Sequence, residues 1–309
     1  MAQTFNQVAA LWKEEKRKYV KKSTYSVYLQ LCRCCILPSF GSRSSSDINE
    51  ESIQAFADDL LAKGYAVKTI KDILLVVKMI LRHGEKIGAW PHIEYKIYFH
   101  TQTEIHPSLA TFSLQHQQKL FHYLKDNFSF RNLGILICLH SGLRIGEVCG
   151  LQWSDLNVDA GIIHVKKTVQ RIYLSDDNVH EYYLSIDTPK TASSVRDIPM
   201  SKELKSIISP FRKVTNANNY VLSNTDAPLE PRSFRSYFYR LLKNLDIPPI
   251  RFHALRHSFA TRCIESKCDY KTVSVILGHA SISTTLDLYV HPGYKEKKLV
   301  IDRMVKCLG

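Results

Sequence analysis

Between Arg251 and His291 the chain reads RFHALRHSFATRCIESKCDYKTVSVILGHASISTTLDLYVH. This stretch holds side chains that can handle a phosphate. His253 and Arg256 stand three apart, so on a helix they share a face. Phe252, Leu255 and Phe259 supply an apolar stripe for the other face. His279 follows Leu277-Gly278, and Tyr289 follows a short polar run. Well upstream, His140 to Asp155 reads HSGLRIGEVCGLQWSD, with Arg144 between Gly142 and Gly146 and Glu147 three residues on. A guanidinium stays charged and offers a planar fork to non-bridging phosphate oxygens, and two forks make a clamp. An attacked phosphodiester gains negative charge, so fixed cationic donors are what the reaction needs most. An imidazole exchanges protons near neutral pH. A phenol flanked by cations is a nucleophile of adjustable pKa.

Each of these residues also has a plainer reading. Arginines mostly end on surfaces or in ion pairs. A lone histidine is most often structural, and His140, His257 and His291 read that way. The chain has sixteen tyrosines, most of which must pack or sit at edges. Tyr289 stands apart because it follows both the Gly-His pair and the Ser-Thr-Thr turn; Tyr294, after Pro292-Gly293, is its nearest decoy.

The elements that position these residues follow from periodicity and caps. Asp269 is expected to cap a helix carrying Val273, Ile276 and Leu277 inward and stopping at Gly278. Ser283 is expected to cap the next helix, which bears Tyr289. Ser113 caps a helix, and Arg131 to His140 is an apolar helix leading into Arg144. From 161 to 200 the period changes to two. Residues 162–169, 183–186 and 195–198 read as strands of a small antiparallel sheet, with turns at Asp177-Asn178 and at Pro189 to Ser194, so Lys190 lies at a hairpin tip. Helices return from Leu204 and over 233–245.

The first hundred or so residues read as all-helical. The helices run from Val8 to Val20, from Ser23 through Leu31 to a stop before Pro38, from Ile48 to Lys63 after a Ser46 or Asp47 cap, and from Val67 to Ile87. The last carries Ile70, Leu74, Val77 and Leu81 as one stripe. Residues 92–110 lack helical spacing and include Pro107. The domains are expected at 1–102 and 111–309, joined by a linker at 103–110.

At 309 residues and 45% hydrophobic the chain supports two packed domains and excludes a disordered one. The formal charge of +13 fits a generic basic surface or a polyanionic partner. Charge alone does not separate DNA, RNA and an anionic membrane. No apolar run reaches the roughly 18 residues of a membrane span. The N-terminal MAQTFNQVAALWKEEKRK mixes charges where a secretory signal would be apolar. A cytoplasmic protein without membrane attachment is expected. The eight cysteines include Cys32-x-Cys34-Cys35, but no matching His/Cys pair follows at zinc-finger spacing, so no metal is expected.

Arg144 within SGLRIGE, His253-x-x-Arg256, Leu277-Gly278-His279 and Tyr289 resemble, in type and order, the active-site boxes of the tyrosine recombinase (phage integrase) family, over roughly the last 200 residues. The resemblance implies a mainly α fold with a small antiparallel β-sheet. It also implies an N-terminal helical, SAM-like core-binding domain that clasps DNA and a C-terminal catalytic domain. It implies a site-specific recombinase that cleaves and rejoins strands through a 3′-phosphotyrosine and a Holliday junction, with no cofactor and no metal. Arg144 and Arg256 would grip the phosphate, and His279 would donate to it. His253 would act as base toward Tyr289, the nucleophile. Lys190 would protonate the leaving 5′-oxygen, with Lys166 and Lys167 as rivals. Glu147 would support Arg144. The implied partners are double-stranded DNA with inverted-repeat core sites, a homotetramer on that DNA and possible accessory DNA-bending proteins. The tail, Lys295 to Gly309, would pack either on a neighbouring protomer or on its own domain. Localisation would be cytoplasmic, at the nucleoid. The helical domain begins almost at residue 1, so no N-terminal arm-binding domain is expected. The run from Thr188 to Pro199 resembles integrases of conjugative transposons and related mobile elements. A type IB topoisomerase and a non-catalytic DNA-binding regulator are the alternatives.

Overall fold

Apolar residues at three- and four-residue steps wind the N-terminal region into helices that share one core. The structure, a computed structural model, describes residues 3–99, 111–176, 179–188 and 192–289, together with 298, 301–302 and 304–305. The expected linker, 103–110, Lys190 and most of the tail lie outside the described residues. The chain divides into two compact units, Met1–His106 with Ile172–Tyr183, and Pro107–Arg171 with Leu184–Gly309.

In the first unit, α1 (Phe5–Tyr19) begins with a Thr4/Gln7 capping box. Helix α2 (Lys22–Leu31) starts after Lys21 without a side-chain cap, so Ser23 does not serve as the expected cap. The chain also does not stop before Pro38. It passes through a π-helical turn, Cys32–Ile36, into α3 (Leu37–Phe40). A wider turn relieves the clash between a proline ring and the carbonyl one turn back, and proline's missing N–H is harmless in a helix's first turn. Helix α4 (Glu50–Ala62) is capped by Asn49, because Ser44 and Asp47 spend their side chains on a short 3-10 turn of their own. Helix α5 (Val67–Lys86) buries Ile70, Leu74, Val77 and Leu81, the stripe its spacing predicts. These face Phe5, Trp12, Ile36, Phe40 and Ile53 in one core.

The second unit opens with α6 (Leu114–Asp126), whose cap is Ser113, accepting from the His116 N–H at 3.1 Å. The buried helix α7 (Phe130–Ser141) and the short α8 (Ile145–Gly150) follow. Strands β1 (Leu156–Asn157), β2 (Ile162–Val165) and β5 (Arg196–Pro199) form an antiparallel sheet in the order β1-β2-β5, with Ile163 opposite Ile198. Strands β3 (Thr168–Asp176) and β4 (Val179–Asp187) form a separate ribbon, of which Ile172–Tyr183 belongs to the first unit.

Two expectations about the sheet are therefore corrected. Residues 162–169 are not one strand. The chain leaves the sheet after Val165 because the backbone at Lys167 and Val169 lies against Gly150 and Gly146 of α8, where a Cβ would intrude. The strands flanking Lys190 are not partners of each other either, since β5 pairs with β2 and β4 with β3.

Helices α9 (Lys202–Ile208), α10 (Pro231–Asn244), α11 (Ala254–Glu265), α12 (Tyr270–Leu277) and α13 (Ile282–Tyr289) complete the unit. Phe234 and Phe238 of α10 pack on Phe252 at ring distances of 5.2 and 5.0 Å, which fixes the entry to α11.

Candidate active site

The site is assembled around two left-handed glycines. Gly142 ends α7 at φ 64°, and a Cβ there would meet Phe259 at 2.7 Å and Leu277 at 2.8 Å, so the position needs both the conformation and the small size. Its carbonyl accepts from Arg256 Nη1 at 3.0 Å. Two residues on, Arg144 is the N-cap residue of α8. Its backbone N–H donates to Glu147 Oε2 and its Nη1 to Glu147 Oε1, both at 2.9 Å. Gly278, at φ 66°, ends α12, and its carbonyl accepts from Arg144 Nη2 at 3.3 Å. Asp269 caps that helix as its spacing predicts, accepting from the Thr272 N–H at 2.7 Å.

Glu147, 3% exposed, carries a second guanidinium. Arg196 Nη1 donates to Oε1 at 3.0 Å and Nη2 to Oε2 at 3.1 Å. Arg196 Nε also donates to the Ile276 carbonyl at 2.6 Å, and Nη1 to that of Ser194 at 3.0 Å. Burial pushes the Glu147 carboxyl up, but the hydrogen bonds and charges of Arg196 and Arg144 outweigh it and hold it below its usual range.

Arg256 is 2% exposed, and its Nη2 has no hydrogen-bond partner among the described residues. Burial, then the charge of Arg144, lowers its pKa to about 9, so it remains a cation at neutral pH. His279 is pushed down to about 4 by burial and by Arg256, Arg144 and Arg196. His253 is pushed down to about 4 by partial burial, His257, Arg256 and Arg144, while its exposed edge lines a cleft. Both imidazoles are neutral at pH 7. The cleft, of about 630 Å³, is walled by Arg144, Arg171, Arg232, Arg235, Thr168 and His253. Four guanidiniums around one opening make it a receptor for an anion.

Tyr289 ends α13, 9% exposed, packed with Ala260, Val273 and Leu277. Ser281, rather than Ser283, serves the start of this helix, accepting from the Ser283 N–H at 3.2 Å. The His279 ring stacks on Tyr289 at 6.4 Å and 5°, and its Nδ1 is shared with Thr285 Oγ1 at 2.8 Å. The expectation sets His253 beside the tyrosine hydroxyl. In the structure that hydroxyl meets His257 Nδ1 at 2.7 Å, and His253 stands edge-on to His257 with ring centroids 4.6 Å apart. Burial raises the Tyr289 pKa against the pull of Arg256 and Arg144.

Residues 112–296 match the phage integrase family, and residues 4–61 match the N-terminal SAM-like domain of phage integrases. The chain belongs to the phage integrase family. It is a tyrosine-type site-specific recombinase. A XerC-like tyrosine recombinase of Caldanaerobacter subterraneus subsp. tengcongensis is 26% identical over 84% of this chain and 71% of its own length. The transposase of transposon Tn916 from Enterococcus faecalis is 25% identical over 94% of this chain and 75% of its own length. The Tn1549 transposon integrase, solved in complex with transposon right end DNA, has the same fold, with a TM-score of 0.77, 23% identity and coverage of 98% and 100% of the two chains.

In this integrase the site gathers Arg144, Glu147, His253, Arg256, His279 and Tyr289 from α8, α11, α13 and the turns before α11 and after α12. Sequence reasoning leaves out Arg196 and His257. Arg196 has a signal, since it is in phase with Ile198 on the inward face of a strand, where a cation needs a buried partner. His257 has none, because what it meets lies on a different helix. Among the described residues, no group of three or more His, Cys, Asp or Glu side chains is placed to hold a metal ion, and no helix is long and apolar enough to cross a membrane.

Proposed function

We propose that this recombinase breaks and rejoins DNA at Tyr289. Its hydroxyl oxygen attacks the scissile phosphorus, the bond to the 5′-oxygen breaks, and a 3′-phosphotyrosine holds the bond energy until a 5′-hydroxyl from another strand reverses the step. Arg144 and Arg256 bind the non-bridging oxygens, and neutral His279 and His253 add hydrogen bonds as charge develops. Glu147 orients Arg144. Lys190 protonates the departing 5′-oxygen. The observation that carries this reading is the buried Arg256, whose unpartnered Nη2 leaves a cation short of one acceptor beside Arg144. A phosphate oxygen supplies that acceptor, and a buried donor without one is costly.

The domain assignment is 1–102 for DNA clasping and 111–309 for catalysis, with 103–110 between them. The substrates are duplexes with inverted-repeat core sites. Four protomers exchange two pairs of strands through a Holliday junction, with the tail passed between neighbours and DNA-bending proteins assisting where the site demands it. The element is a mobile one, and the protein acts in the cytoplasm at the nucleoid. A transposase of Tn916 among the relatives and the Tn1549 fold support this reading.

The test is covalent capture. Nicked, labelled duplexes from the gene's own neighbourhood are incubated with the protein without metal, and SDS-resistant protein–DNA bands are scored. A band lost in Tyr289→Phe supports the reading. A band that survives Tyr289→Phe moves the nucleophile elsewhere and overturns it, and DNA binding without any band favours a regulator.

A further inference from the structure

The geometry points to His257 as the group that takes the proton from Tyr289 during cleavage and returns it on rejoining. This rests on the proposal that Tyr289 is the nucleophile. The His257 Nδ1 and the Tyr289 hydroxyl oxygen are 2.7 Å apart, within proton-transfer distance. The two rings are tilted by 52° with centroids 5.7 Å apart, so an in-plane imidazole lone pair can meet a phenolic hydrogen.

Neither of the other two histidines of the site makes this contact. His279 lies face to face with Tyr289 at an interplanar angle of 5°, so its nitrogen lone pairs run parallel to the phenol ring, and its Nδ1 is engaged with Thr285. His253 stands at 90° to His257 and lines the arginine-walled cleft. The three imidazoles therefore divide the work: two attend the phosphate side and one attends the nucleophile. Burial, then Arg256, lowers the pKa of His257, which keeps its nitrogen free of a proton at neutral pH and ready to accept.

The step balances without any further reactant. The Tyr289 O–H bond breaks and its proton passes to His257 Nδ1. The phenolic oxygen forms the bond to phosphorus, and the phosphorus–5′-oxygen bond breaks, with the leaving oxygen protonated from the other side of the phosphate. On rejoining, the incoming 5′-hydroxyl gives its proton back to the group that protonated the leaving oxygen, assigned above to Lys190, its oxygen bonds to phosphorus as the phosphorus–phenolic oxygen bond breaks, and the His257 imidazolium returns the proton to the phenolate. General-base assistance of this kind is worth about 10²–10⁴ in rate.

The experiment is single-turnover cleavage of a nicked duplex by the full chain, with Tyr289→Phe, His257→Ala and His257→Asn compared with the unaltered protein. Asparagine keeps a hydrogen-bond acceptor near Nδ1 but takes no proton. The expected result is that both His257 variants bind DNA and melt like the parent yet cleave about 10²-fold more slowly, and that added imidazole restores part of the rate of His257→Ala. A duplex with sulfur in place of the 5′-bridging oxygen has a leaving group that needs no proton, and both variants are expected to stay slow on it. Three outcomes overturn the assignment. His257→Asn at parental rate makes the contact a matter of positioning. A deficit that disappears with the sulfur substrate moves His257 to the leaving group. Either variant cleaving faster than the parent makes the contact a resting lock on the tyrosine. Undiminished cleavage by Tyr289→Phe instead defeats the underlying proposal about the nucleophile, whatever the His257 variants do.

Discussion

Glu147 meets Arg196 through both carboxylate oxygens, at 3.0 and 3.1 Å, and with the same two oxygens holds the backbone and guanidinium of Arg144. One carboxylate thus fastens a strand to a helix end and holds the Arg144 guanidinium in place. Arg196 extends the tie to the last turn of α12 through the Ile276 carbonyl.

Removing one side of such a pair leaves a buried charge alone. Glu147→Ala is expected to lower unfolding free energy by about 3–5 kcal/mol, because two guanidiniums lose their counter-charge. Glu147→Leu combined with Arg196→Met is expected to recover most of that stability, since a well-packed apolar pair replaces the ions. It is not expected to recover cleavage, because Arg144 still lacks its anchor. Urea unfolding read beside covalent-complex yield separates the two effects.

Arg256→Lys keeps a cation but loses the fork that spans the Gly142 carbonyl and the open acceptor position. A drop in cleavage rate of about 10²–10³, with DNA affinity largely kept, is expected from losing one aligned donor in the transition state. Single-turnover kinetics with binding measured separately will show it. An equal loss in both would mean that Arg256 grips ground state and transition state alike.

Gly142 and Gly64 separate backbone strain from packing. Both have positive φ, at 64° and 83°, but a Cβ on Gly64 meets nothing within 4 Å among the described residues, whereas on Gly142 it strikes Phe259 and Leu277. Gly64→Ala is expected to cost about 1–2 kcal/mol, the price of a left-handed alanine. Gly142→Ala is expected to cost about 1–3 kcal/mol more. It should also lower cleavage, since the carbonyl holding Arg256 belongs to that residue. Thermal or urea melts of the two variants give the difference directly.

The histidines set an acid limit. His279 and His253 have folded pKa values of about 4, below the ordinary 6.5. As pH falls below 6.5 the unfolded chain takes up these protons first, so stability is intact above 6.5 and is lost progressively toward 4. The exposed edge of His253 trims its share through solvent screening. Denaturant midpoints measured from pH 7.5 down to about pH 4.5 are expected to fall. His279→Gln is expected to flatten that slope. A midpoint unchanged over the range would contradict the depressed values.

What could be read from the sequence was mostly local. The Asp269 cap and the Gly278 stop bracket α12 because an N-cap carboxylate and a left-handed glycine act within a few residues of themselves. Ser113 does the same for α6. Ser23 and Ser283 mislead because a serine near a helix start caps only if the backbone turns at that residue, and here it turns elsewhere. Pro38 misleads because a π turn lets a helix pass it. The break after Val165 is invisible because it answers to glycines of α8, a separate element. The four boxes were legible as types in order. The partner of the Tyr289 hydroxyl was not, since it depends on how α11 meets α13 in space.

The carbonyl of Gly142 waits for Arg256, and Arg144 for the carbonyl of Gly278, so each of these two guanidinium contacts is completed by chain that is synthesised much later. Tyr289 comes after all of them. On the ribosome, then, neither contact can close until α11 and α12 have left it, so the guanidiniums of Arg144 and Arg256 take their places only as the chain is being finished.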